Sequence, residues 1–305
     1  MSYSGQMSGI FQFTMRMFSE TELRFISVER INHYLKTLTN EDDGTKLSTK
    51  TLEDWPRYGE IEFKDVELRY RQDLPTVLNK ISFRVEANEK IGIVGRTGSG
   101  KSSIIVALFR LVELSGGKIT IDGINVSEVN MDRLRGNISI IPQDPILFSK
   151  SVRFNLDPHG SSSDTDLWVV LEKTQLKDKI RAMPGQLNAM VETGGSNLSM
   201  GERQLLCLAR ALLRRSKILF LDEATAAVDP ETEAIVQATV QYEFSNCTIL
   251  TIAHRLQTVL SCDRILVMDA GNVIEFDTPS KLLEDSSSEF STMMAAADKA
   301  MKGCY

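Results

Sequence analysis

Cysteine is scarce in this sequence. Four cysteines stand in 305 residues (Cys207, Cys247, Cys262 and Cys304), with no C-x-x-C pair and no metal-like spacing. That excludes a disulfide framework and points to reduced thiols in a reducing compartment. Positive charge is not in excess either: 35 Lys+Arg against 41 Asp+Glu give a net charge of −6. This balance argues against a nucleic-acid partner held by electrostatics. No run of about 18 apolar residues occurs, so the chain holds no complete transmembrane helix. No basic stretch followed by an apolar core opens the N-terminus, so no signal peptide is expected, and no internal repeat is present. What remains, 42% hydrophobic and 25% charged, is the composition of an ordinary soluble intracellular protein. The length suggests about two domains, or one large domain with appendages.

The first 38 residues differ from the rest. Apolar residues recur through Leu23, Ile26, Val28, Ile31, Tyr34 and Leu35, close to helical spacing. Two readings stand: an amphipathic helix packed on its own domain, or the cytosolic end of a helix whose membrane part is cut away. Residues 39–58 are polar, with Glu41, Asp42 and Asp43 clustered, and read as a linker. From Gly59 a globular pattern begins. Residues 60–70 alternate apolar and polar, with a slip at Lys64-Asp65, and predict a strand; residues 77–85 predict a second. Residues 89–95 are a short apolar run ending in glycine, and residues 102–112 return to helical spacing. Strand, Gly-rich turn and helix open a nucleotide-binding α/β unit. Further apolar runs at 138–141, 218–221, 248–252 and 265–268, with helical segments between, predict a mostly parallel, buried sheet. Residues 286–305 form a Ser/Ala-rich tail expected to fray or to make a loose helix.

Residues 95–102, Gly95-Arg96-Thr97-Gly98-Ser99-Gly100-Lys101-Ser102, fit G-x-x-x-x-G-K-[ST]. Glycine at 95, 98 and 100 lets the backbone N–H groups turn inward around an anion, and the following helix offers its positive end. Ser99 within the loop and Ser103 just after it are expected to bind the nucleotide as well. Lys101 would reach the β- and γ-phosphates of ATP, and the Ser102 hydroxyl would ligate Mg²⁺. Residues 217–223 (KILFLDE) are an apolar strand ending in two carboxylates. Beside a phosphate loop, Asp222 would hold Mg²⁺ and Glu223 would polarise the attacking water. Ser199 and Glu202 stand at S-x-x-E spacing before a leucine-rich helix, a capping box that needs no ligand.

The order of phosphate loop, Gln143 in IPQDP, LSMGERQ at 198–204, LDEAT, AAVD ending at Asp229, and His254 resembles the ATP-binding-cassette family over residues 59–283. Within it, the runs IGIVGRTGSGKSS, IIPQDPILFS, NLDP and SMGERQLLCLARALLR resemble the second nucleotide-binding domain of the C subfamily, the multidrug-resistance-associated proteins. The resemblance implies a P-loop NTPase core with a mostly parallel sheet, an antiparallel β subdomain, and a helical subdomain at about 150–214. Residues 1–38 become the stump of the last membrane helix and its connection to the cassette. The resemblance also implies that Tyr70 stacks on adenine, that Gln143 ligates Mg²⁺ and senses the membrane domain, and that His254 contacts the γ-phosphate. Ser199 and Gly201 would face ATP bound on an opposing cassette. Asp229 would bridge to that cassette, although it also suits the N-cap before Pro230.

The partners so implied are a second cassette, transmembrane domains and a transported organic anion, at the cytosolic face of a membrane. Alternatives are a nucleotide-sensing regulatory cassette and a soluble ATPase of the same family. The intact carboxylate pair and the acidic, single-cassette chain argue against them. The family pattern LSGGQ is broken by Met200 and Glu202. A carboxylate three residues into that helix opposes an anion at its start. Slow hydrolysis is therefore expected at the site to which this chain lends Ser199.

Overall fold

The computed structural model describes residues 2–38, 54–222, 229–253 and 255–302. Two units are present, divided near residue 44. The first holds α1 (Ser2–Thr37), about 54 Å long at 1.5 Å per residue. Glu20 and Arg24 pair at i,i+4 on it, and Thr14, Thr21 and Thr37 each donate a hydroxyl to the carbonyl four residues back. The side chains described for α1 are exposed. Among the described residues no helix is long and apolar enough to cross a membrane.

The second unit opens with β1 (Ile61–Leu68), β2 (Leu78–Val85), β3 (Lys90–Gly95), α2 (Lys101–Leu108), β4 (Gly116–Ile121) and β5 (Ile124–Asn125). There follow α3 (Met131–Asn137), β6 (Ile138–Ile141), α4 (Val152–Leu156), α5 (Asp164–Lys173), α6 (Lys177–Ala182) and α7 (Met200–Arg214). The remainder is β7 (Ile218–Asp222), α8 (Pro230–Glu243), β8 (Thr248–Ile252), β9 (Arg264–Asp269), β10 (Asn272–Asp277), α9 (Pro279–Glu284) and α10 (Glu289–Lys302).

Six strands form one sheet in the order β10-β9-β3-β8-β7-β6, parallel except for β10 on β9. Strands β3, β7 and β8 are buried nearly end to end, which is why they read as continuous apolar runs. The second sheet, β2-β1-β4-β5, is antiparallel throughout. Its core joins that of the first sheet through Ile61, Phe63, Ile91, Ile93, Ile104 and Leu108. The slip expected at Lys64-Asp65 is a bulge: the register shifts between Phe63 and Val66, and Asp65 sits at φ +49°. A separate core runs through α4–α8 and carries Leu171, Leu198, Leu206 and Leu208.

Two segments differ from their sequence reading. Residues 55–58, assigned to the linker, are anchored. Trp55 is buried and donates its indole N–H to Ile121 O (2.9 Å). Both carboxylate oxygens of Asp122 accept backbone N–H groups from Arg57, Tyr58, Gly59 and Glu60 at 2.7–2.9 Å. The rest of that stretch, residues 39–53, lies outside the described residues.

Within the C-terminal tail, residues Glu289–Lys302 form a packed helix rather than a frayed end. Glu275 of β10 accepts from Ser288 Oγ and from the N–H of Glu289 and Phe290, which fixes the start of α10. Phe290 is fully buried in a third core with Val94, Ala253, Val259, Ile265, Val267 and Leu282. Replacing Phe290 with alanine is expected to cost about 3–5 kcal/mol, the usual loss for a buried aromatic. Calorimetry should show the melting temperature falling by roughly 6–15 °C. An unchanged melt would mean that α10 does not hold this face.

Candidate functional site

The parallel strands align their carboxyl ends along one edge. Ile141 of β6 pairs with Leu221 of β7, Asp222 with Ile252 of β8, and Ile252 with Ile93 of β3. Gly95, Asp222 and Gln143 therefore follow neighbouring levels of one sheet edge, the place where open α/β sheets bind ligands. Glu223 and His254 lie outside the described residues, as do 224–228.

The loop from Gly95 to Lys101 is built around left-handed glycines: Gly95 at φ +151°, Gly98 at +84° and Gly100 at +100°. A Cβ at Gly95 would stand 2.2 Å from Met268 O and 2.7 Å from Ser99 Oγ, so the loop closes only with glycine there. Gly100 caps α2 without a side-chain bond. Lys101, 7% exposed at the first position of α2, donates from Nζ to Gly95 O (2.8 Å) and Arg96 O (3.0 Å). Its ammonium thus lies inside the loop it would share with phosphate. Among the described residues Ser99 Oγ is buried without a hydrogen-bond partner, a cost of about 1–3 kcal/mol that a bound oxyanion would remove. Ser103 is buried and its hydroxyl meets Tyr70 Oη at 3.1 Å. Tyr70, 44% exposed, therefore stands beside the phosphate-loop helix. Ser102 and Gln143 are exposed, and Asp222 is partly so. Hydroxyl, amide and carboxylate oxygens suit a hard divalent cation such as Mg²⁺.

Sequence reasoning missed the support beneath this loop. Gly271 N donates to Ser99 O (3.0 Å) and Asn79 N donates to Gly271 O (2.9 Å). Asn79 Nδ2 also donates to Ala270 O (3.1 Å). The β9–β10 turn thus braces the phosphate loop against β2. The signal was available: Asp-Ala-Gly-Asn at 269–272 between apolar runs is a hairpin pattern. Asn155 opens the NLDP run, but no local pattern showed its structural role. It is fully buried, accepts from Phe148 N (2.8 Å), and donates to Phe148 O (2.9 Å) and Ser151 O (3.1 Å). Arg210 of α7 donates to its carbonyl (2.8 Å), so the loop after Gln143 is tied to α7.

At the other end of the helical subdomain, Ser199 caps α7 in a complete capping box. Glu202 N donates to Ser199 Oγ (3.1 Å), and Ser199 N donates to Glu202 Oε2 (2.8 Å). Gly201 touches α8, where an added Cβ would meet Thr232 Oγ1 at 2.8 Å and Cγ2 at 2.9 Å. Thr232 is itself held by Asp229, whose carboxylate accepts both its N–H and its hydroxyl at 2.9 Å. These bonds, led by the backbone one, hold the Asp229 carboxyl below the usual range. Asp229 is thus the N-cap of α8, with Pro230 at the first position. The start of α7 and the start of α8 form one contact. Arg255 pairs with Glu233 of α8 at 2.6 Å, which ties the segment after β8 to the same helix.

Residues 78–226 match the family model described as "ABC transporter". Those residues form an ABC transporter domain. The chain is 48% identical to multidrug resistance protein mrp-7 of Caenorhabditis elegans, over 97% of this chain and 19% of that protein. It is 49% identical to ATP-binding cassette sub-family C member 3 of Homo sapiens, over 92% of this chain and 18% of that one. A bacterial Atm1-family ABC exporter solved with ATP bound has a similar fold, with a TM-score of 0.79 and 30% identity. That match covers 90% of this chain and 47% of the exporter chain. The chain thus spans about a fifth of the length of the curated relatives it matches. Its fold has a P-loop NTPase core, an antiparallel sheet and a helical part, and its sequence is similar to members of the C subfamily.

Proposed function

We propose that this cassette binds Mg-ATP, pairs with a second cassette, and hydrolyses ATP to drive efflux of organic anions through transmembrane domains. In that reading it works at the cytosolic face of a membrane. The observation that carries the reading is the phosphate cradle. Left-handed glycines, the Lys101 ammonium and the orphaned Ser99 hydroxyl converge on one loop, at the sheet edge where Asp222 ends β7.

Tyr70 stacks on adenine, and the amides of 95–103 and Lys101 hold the phosphates. Ser102, Gln143 and Asp222 would hold Mg²⁺, which when bound would neutralise charge on the phosphate oxygens. Glu223 takes the proton of the water attacking the γ-phosphorus as the bond to ADP breaks. His254 contacts the γ-phosphate. The chain lends Ser199 and Gly201 to ATP on the opposing cassette, and Asp229 crosses to it. The contact between Gly201 and Thr232 supports this pairing, because it makes the two lending elements a single rigid edge.

A site completed by another molecule turns over poorly alone. Hydrolysis per chain should therefore rise with chain concentration, and dilute monomer should bind ATP while hydrolysing it feebly. A steady-state phosphate-release assay over a dilution series tests this. A robust rate independent of concentration would overturn the composite site.

A further inference from the structure

Glu202 sets a charge problem at the start of α7. The unpaired N–H groups and the dipole of a 15-residue helix favour an anion there. A carboxylate in the first turn would compete for those donors and repel a phosphate. The structure disposes of both carboxylate oxygens. Oε2 is turned back onto Ser199 N at 2.8 Å, and Oε1 meets Lys179 Nζ at 2.9 Å. Lys179 comes from α6, a separate segment of the helical subdomain. The Glu202 side chain is 24% exposed and that of Lys179 47%. Burial alone would push the Glu202 carboxyl up. The Ser199 N–H, the Lys179 bond and its charge outweigh that and hold it below the usual range. The carboxylate is therefore charged at neutral pH, and its charge is matched in place.

We infer that Lys179 is a positioning residue for the site this chain completes on an opposing cassette: it cancels the charge of Glu202 and keeps that carboxylate folded back, so that α7 presents a net positive end to phosphate. The inference rests on the composite-site reading above. It also revises the expected asymmetry between the two sites, since the LSMGE sequence is slow only where its carboxylate is uncompensated.

Charge and scaffold roles predict different patterns in a four-way comparison. The chain carrying Glu223→Gln is titrated with Mg-ATP, and self-association is measured by analytical ultracentrifugation. The same measurement follows with Lys179→Met, with Glu202→Gln, and with both. Lys179→Met should weaken ATP-driven association about tenfold, and adding Glu202→Gln should restore it to within about twofold. Glu202→Gln alone should not weaken it. The Lys179→Met deficit should shrink in high salt. Lys179→Arg, which keeps the charge, should associate like the parent.

If both single variants weaken association alike and the double variant recovers nothing, the ion pair is only scaffolding and the inference fails. It fails equally if Lys179→Met associates like the parent, or if Lys179→Arg loses as much as Lys179→Met. Should the parent itself not associate with ATP, the composite site falls, and the role of Lys179 with it. Melting curves of each variant separate a fold defect from a site defect.

Discussion

Replacing Lys101 with methionine should weaken ATP binding by roughly a hundredfold, about 3 kcal/mol, while the chain stays folded. The side chain is 7% exposed, so its stem is packed and only its ammonium faces the loop. That ammonium donates to Gly95 O and Arg96 O, the carbonyls that shape the cradle. Methionine keeps the unbranched stem and removes the charge. Two charge-assisted bonds to phosphate are then lost, each worth about 1.5–3 kcal/mol. Arginine is not expected to substitute, because its planar guanidinium presents donors in a different geometry from a compact ammonium. Calorimetric titration with Mg-ATP reads the loss, and a melting curve confirms the fold. Affinity within about threefold of the parent would remove Lys101 from the phosphate site, because even one charge-assisted bond exceeds that.

The parts of this molecule that were legible are those coded locally. The phosphate loop announces itself because left-handed backbone at 95, 98 and 100 requires glycine in sequence. The bulge at Asp65 showed as a broken alternation, and β3, β7 and β8 as apolar runs, because burial on both faces admits nothing else. What stayed hidden depends on distant partners. The apolar spacing that predicted helix to residue 112 runs past the end of α2 at Leu108, where Arg110 turns to φ +47°. That turn is secured by the Arg110 guanidinium reaching Val126 O and Val129 O. The strand β10 is half-buried and mixed in polarity, so only its pairing with β9 defines it. The start of α10 is fixed by Glu275, some distance back in the chain. The same holds at the site. S-x-x-E spacing gave the capping box, but no local pattern could show that Lys179 stands 2.9 Å from Glu202.

Replacing Glu223 with glutamine should lower ATP hydrolysis by at least about a hundredfold, within the range that removal of a general base produces. ATP binding should persist. Glutamine matches the volume and hydrogen-bonding reach of glutamate but cannot take a proton from water. The residue before it, Asp222, ends a strand whose neighbours Ile252 and Ile93 lead to the phosphate loop at the same level. Chemistry and binding are therefore expected to separate by residue along one short run. Asp222→Asn should weaken the magnesium-dependent part of ATP affinity, whereas Glu223→Gln should leave affinity intact and stop turnover. The blocked chain should also accumulate as an ATP-bound pair, because the step that separates the cassettes no longer follows. Single-turnover phosphate release and sedimentation in Mg-ATP read the two consequences independently. Hydrolysis at the parent rate would assign the proton to another group. Lost binding with lost turnover would make Glu223 a ligand rather than a base.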